Sequence, residues 1–187
     1  MSLFVNRMIR AAKLDVHLYE EVEADKGAIG QAMGVVVLSS VASGIGLFRT
    51  GGLEGIAIGT MGALFGWYVW AFLTYIVGTK LLPEPQTRAT HRELLRTVGF
   101  SSSPGIIRVL ALIPAFAPVV FLVAGVWMLV AMVIAVRQAL DYHSTLRAIG
   151  VCLIGWLLQG VIIAIVLGMV GGVPDSPKGV TLWQSLR

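Results

Sequence analysis

Four carboxylates crowd into six residues, Glu20, Glu21, Glu23 and Asp25, just ahead of a long uncharged apolar run. On a helix they fall on consecutive turns, and oxygen donors so spaced suit a hard cation. Placed at a helix start they can instead complement the positive end of its dipole or pair with fixed cations. The candidate cations lie far along the chain: Arg137, with Gln138 beside it, closes a later apolar run, and Arg108 lies between the two regions. If those ends share one membrane face, Glu21, Glu23 and Asp25 would meet Arg137, Gln138 and Arg108 in an ion-paired latch. Asp141, four residues after Arg137, would pair with it along the same helix. The plainer alternative is an Arg137 that snorkels into the headgroups.

Other chemistry finds no residues to carry it. His17, His91 and His143 are scattered over three segments, and no two stand at metal-ligand spacing. The single cysteine, Cys152, lies in apolar sequence and excludes an intramolecular disulfide. No glycine-rich phosphate loop, nucleophile elbow or zinc-protease helix is present in the sequence. The expectation is a protein without catalytic residues, cofactor or metal.

The elements that would position these residues are membrane helices. Of 187 residues 57% are hydrophobic and only 13% charged, and the mean hydropathy is +0.85. A water-soluble domain of this length would carry far more surface charge. The net charge of +4 is dispersed through short loops, so nucleic acid is not expected as a partner. The predicted fold class is all-α: a polytopic membrane protein with five transmembrane helices. An N-terminal amphipathic helix and an interfacial helix between spans two and three complete it.

Residues 1–28 lack the continuous apolar core of a cleavable signal peptide. Phe4, Met8, Ala11, Leu14, Leu18 and Val22 recur at helical spacing, with Arg7, Arg10, Lys13 and His17 on another face and Asp15 interrupting the apolar arc. Such a helix suits a membrane interface or the membrane domain's own surface. The membrane domain is predicted over 29–170, with spans near 30–48, 56–77, 104–116, 119–137 and 148–170. The stretch "RTGGLEG" would make the first turn and "PAFAP", Pro114 to Pro118, the hairpin between spans three and four. Span three is short and either crosses fully or is re-entrant. Within the long second connection "HRELLRTVGF" has Leu94, Leu95 and Val98 opposite Arg92, Glu93 and Arg96, and Ser103 would cap the span that Pro104 starts.

This threading places eleven of the fourteen Lys and Arg on the side of the N-terminus, Arg108 among them. The N-terminus is therefore expected in the cytoplasm and the C-terminal tail, 171–187, outside. Gly30 and Gly34, Ser40 and Gly44, Gly55 and Gly59, and Gly62 and Gly66 are small-residue pairs four apart, suited to close helix packing within the bundle or between copies. Gln159, the strongly polar side chain of span five, is expected to make an interhelical hydrogen bond.

One stretch carries a family resemblance. "GFSSSP", with Gly99, Phe100 and Pro104, resembles the glycine-aromatic-xxx-proline motif of the Ypt-interacting protein (Yip) domain family. "HLYEE", around Tyr19, is a partial match to that family's Asp-Leu-Tyr-Gly-Pro motif. Val126 to Ile149 and "EEVEADKGAIGQA" resemble its bacterial branch. The resemblance implies a non-enzymatic protein of the bacterial cytoplasmic membrane, an accessory or scaffolding subunit that binds other membrane proteins as well as the lipid bilayer. It leaves a homo-oligomer open. The rival expectation is a small transporter or channel using the Arg/carboxylate cluster.

Overall fold

Lys13 to Asp15 divide the N-terminal segment in two. In the computed structural model, which describes residues 2–170 apart from the side chains of 167, 169 and 170, α1 runs Leu3–Ala12 and α2 Val16–Ala24. Leu14, at φ 62°, closes α1 in the left-handed conformation, with the Leu14 and Asp15 N–H groups donating to Ala11 and Arg10 carbonyls. Asp15 then caps α2 by accepting from the His17 N–H, so its place in the apolar arc marks a helix boundary. The expected single helix over 1–28 is thus a helix pair. Its apolar arc still faces inward: Ala11, Leu18, Tyr19 and Val22 are fully buried against Ala32, Val35, Phe100 and Ala135.

Four helices among the described residues are long and apolar enough to cross a membrane: Ala28–Gly46, Phe48–Leu81, Ala117–Ala139 and Thr145–Val166. They belong to α3 (Ala28–Gly46), α4 (Phe48–Ile76, continued by a π-helical turn Val77–Leu81), α6 (Ala117–Ala139) and α7 (Thr145–Val170). The first turn is tighter than "RTGGLEG" suggests: α4 begins two residues after α3 ends and absorbs that stretch as helix. The turn residues leave one mark, a kink at Gly52 with φ 56° and ψ −158°, backbone that a residue with a Cβ resists.

The third expected span, 104–116, takes a different form. Residues Ser103–Leu112 make a 3-10 helix, ten residues long. At roughly 2 Å rise per residue it extends about 20 Å, farther than an α-helix of equal length. Contacts trace its course. A Cβ on Gly99 would stand 2.7 Å from that of Ala32, a Cβ on Gly105 would collide with the Ser39 hydroxyl, and one on Gly46 would collide with the Arg108 carbonyl. Residues 99 to 108 therefore climb beside α3 from Ala32 to Gly46, in the same direction. The narrow 3-10 coil fits a slot between α3 and α6, where Met128 also closes on Gly105.

Between α4 and this coil lies α5, His91–Phe100, which starts with a full capping box of Thr90 and Glu93. All seven residues from Leu94 to Phe100 are buried, Arg96 of the polar face among them, and α5 packs against α2, α3, α4 and α6. Below, the end of the bundle carrying α1, α2 and the α6–α7 turn is called the N-terminal face, and the end carrying Gly46 to Thr50 the far face.

Candidate functional site

The carboxylates before α3 find cations, but from the N-terminal helix itself. Arg7, 4% exposed, donates from Nε to Glu21 at 2.8 Å and from Nη1 to Asp25 at 2.8 Å and Gln31 at 3.1 Å. Arg10 donates to Asp15 at 2.7 Å and to the second Glu21 oxygen at 2.5 Å. Glu21 is thereby shared between two guanidiniums. Hydrogen bonds from Arg10 and Arg7 hold its carboxyl below the usual range, and the Arg7 bond does the same for Asp25. These pairs pin α1 across the α2–α3 corner, and the Trp127 indole donates to the Ala12 carbonyl at 2.8 Å to hold its other end.

Arg96 does related work without a carboxylate. Only 5% exposed, it donates to the Val22 carbonyl at 2.9 Å and to the Glu23 carbonyl. Those are orphan carbonyls of α2's last turn, and a cation there also meets the negative end of the helix dipole. The sequence shows Arg96 only as a member of a polar helical face with Arg92 and Glu93. The signal lay elsewhere, in the need of an isolated nine-residue helix for a C-terminal partner.

The expected partners of the acids lie apart. Arg108 is not on this face: its backbone abuts Gly46 at the far end of α3, and its guanidinium lies 5.9 Å from the Phe121 ring. The end of α5, the turn at 101–102 and the first residues of the 3-10 helix carry it there. Arg137 donates to the Tyr142 carbonyl at 3.2 Å and pairs with none of Glu21, Glu23 or Asp25. Nor does it pair with Asp141, which has left the helix. Asp141 sits at φ 53°, and the N–H groups of Asp141 and Tyr142 donate to Gln138 and Arg137 carbonyls, the two bonds of a Schellman ending. Gln138 does reach α2, donating to Glu20 at 2.9 Å.

What remains open between α2, α5 and the α6–α7 turn is a cleft of about 770 Å³ lined by Glu20, Glu23, Glu93 and Asp141 together with Arg137 and His143. The Glu23 carboxylate has no hydrogen-bond or ion-pair partner among the described residues. Burial, with Asp141 and Glu93 beside it, pushes its carboxyl up to about 7. The cleft can therefore accept cations or hydrogen-bond donors, or take up a proton near neutrality. Among the described residues no group of three or more His, Cys, Asp or Glu is placed to hold an ion. The rim of the cleft is braced by Glu84, which sequence reasoning passed over. Glu84 accepts from the His143 and Ser144 N–H groups ahead of α7, at 3.0 and 3.3 Å. Tyr142 donates to the Gly78 and Leu82 carbonyls at 2.9 and 2.6 Å, closing the π-helical turn.

The motif residues meet in one core. Tyr19 and Phe100 are both fully buried in the cluster that joins α2, α3 and α6, and Gly99 permits the contact with Ala32. Pro104 is buried at the start of the 3-10 helix. Ser103 does not cap it: its hydroxyl donates back to the Phe100 carbonyl at 2.8 Å. The glycine pairs divide. Gly34 rests on the Phe4 ring, Gly44 on Ile56 and Gly66 beside the Gln159 amide, whereas a Cβ on Gly30, Gly55, Gly59 or Gly62 would meet nothing within 4 Å. The Gln159 Oε1 is buried without a hydrogen-bond partner among the described residues. Tail residues 171–187 lie outside the described residues.

The family model of the Yip1 domain matches residues 19–170, from the end of "HLY" through α7. No curated protein and no solved structure matches the chain.

Proposed function

From the premise that this chain belongs to the Yip1 domain family, we propose that it is a non-enzymatic organiser of other membrane proteins. It is a multi-pass integral membrane protein of that family, and in our reading the chain crosses five times. The 3-10 coil is the third crossing, beside and parallel to α3. With Arg108 at the far end, this threading puts ten Lys and Arg on the N-terminal side and four on the other. That bias supports an N-terminus in the cytoplasm of a bacterium and a C-terminus outside.

One observation carries the partner-binding reading. Glu21, Asp25 and Asp15 are occupied by Arg7 and Arg10, while Glu23, Glu93 and Asp141 face an open cleft, which Arg137 also lines, with no cation bonded to them among the described residues. Such a cleft suits a Lys- or Arg-bearing cytoplasmic segment of a neighbouring membrane protein. The test is purification in a mild detergent followed by mass spectrometry, for the native chain and for a variant with Glu23→Gln, Glu93→Gln and Asp141→Asn. A stoichiometric partner lost from the variant supports the reading; a partner retained by it, or none in the native protein, removes it.

The transporter or channel alternative has its own supporting observation, a second cavity of about 870 Å³ in the opposite half of the bundle. Flux of a solute by the pure protein in liposomes would favour it.

A further inference from the structure

The far half of the bundle contains a groove that the described residues leave unfilled. One wall is α4, where Gly55, Gly59 and Gly62 face open space; α3 and α7 form the others, and Arg108 stands at the far end. Bare glycine lets another molecule lie close against the helix backbone. Three residues lining this space each carry a polar atom that is buried without a hydrogen-bond partner among the described residues: Arg108 at Nε, Gln159 at Oε1 and Trp70, which is 5% exposed, at its indole nitrogen. Buried polar groups are ordinarily satisfied, so their state points to a site completed from outside the described residues.

We propose that this groove binds one phosphate-bearing lipid of the far leaflet, its phosphate on Arg108 and an acyl chain along the glycine wall of α4. Depth supports the assignment. Arg108 lies against Gly46, the last residue of α3, which is where a headgroup would be. From there the wall from Gly55 to Gly62 runs inward for about 10 Å at 1.5 Å per residue. Charge supports it as well. No carboxylate pairs with Arg108 among the described residues; its only aromatic contact is the Phe121 ring. A guanidinium matches phosphate in a two-pronged hydrogen-bonded pair. An apolar helix laid in the same groove would strand that charge at a cost.

The full-length protein would be held in a mild detergent and offered phosphatidylglycerol, phosphatidylcholine or inorganic phosphate, with bound lipid counted by native mass spectrometry. The native chain should retain one phosphatidylglycerol in preference to phosphatidylcholine, and inorganic phosphate should not displace it. Arg108→Gln and Gly59→Leu should each lower retention by about tenfold, the first by removing the charged bond and the second by filling the groove. Gly62→Leu is the substitute if Gly59→Leu fails to elute as a folded, monodisperse species. Three outcomes overturn the proposal. Loss with Arg108→Gln but not with either leucine variant leaves only a general headgroup contact. Displacement by inorganic phosphate makes it a free-anion site. A change of oligomeric mass in the leucine variants with lipid retention unaltered means that the groove holds a helix.

Discussion

Replacing Arg96 with methionine isolates the contact that ties α5 to α2. Methionine keeps much of the buried stem and its packing while removing the guanidinium. Two carbonyls lose their donor. The Arg96–Val22 bond is buried and the Arg96–Glu23 bond only partly so, which lets water replace the second. A hydrogen bond to a charged group contributes about 1.5–3 kcal/mol, so the first alone sets a loss near 2 kcal/mol. The cation at α2's C-terminus adds about 0.3–1 kcal/mol. Against this, deleting a buried charge relieves its desolvation. The net expectation is a destabilisation of about 2 kcal/mol. Reversible unfolding in mixed micelles titrated with SDS would measure it, with Arg96→Lys alongside. Lysine keeps the charge but not the two-pronged geometry and should fall between the two. α2 should also become cleavable by added protease in Arg96→Met before the bundle unfolds. An Arg96→Met protein within about 0.5 kcal/mol of the native one, or more stable than it, would refute the reasoning, because α2's last carbonyls would then need no donor from α5.

The Arg7–Glu21 pair should couple: in a double-mutant cycle of Arg7→Met and Glu21→Gln, non-additivity of about 1 kcal/mol is expected from a buried guanidinium and a half-exposed acid, whereas Arg137→Leu with Glu21→Gln should be additive. Glu23 should make stability fall as pH rises. Its folded value of about 7 lies above the ordinary 4.5, so between those values the native state holds the extra proton and the slope of stability against pH is negative. Unfolding titrations from pH 5 to 8 should show that slope in the native chain and its loss in Glu23→Gln; an unchanged slope would place the titration elsewhere. The five-crossing threading predicts that single cysteines at Gln86 and Ala115, in a Cys152→Ser background, react with impermeant thiol reagents from opposite sides of the membrane. Labelling from one side would make the 3-10 coil re-entrant.

The membrane character of this chain and its all-helical build were legible in one dimension, because long uncharged runs with few charged interruptions leave the backbone only helices as a way through a bilayer. Four apolar runs appear as helices near their expected places, and Pro114 lies between the coil and α6, whose second residue is Pro118. The motif residues Gly99 and Phe100 sit where helices touch, a packing role that the motif itself did not state. Partners were not legible. Periodicity says that Arg7 and Arg96 share a face with other polar residues, yet which helix lies across from that face depends on the break at Leu14 and on the burial of α5. The height of Arg108 turned on a subtler matter, since a 3-10 coil and an α-helix have nearly the same sequence preferences but differ by about 0.5 Å of rise per residue. Over the five steps from Ser103 to Arg108 that difference adds about 2.5 Å to the climb beside α3 that takes the cation from the acids it was expected to meet to the opposite end of the bundle. Hydropathy thus determined which segments leave water. The pairing of charges was decided only by the way those segments came together, because an ion pair needs two side chains within about 4 Å and no local pattern carries that distance.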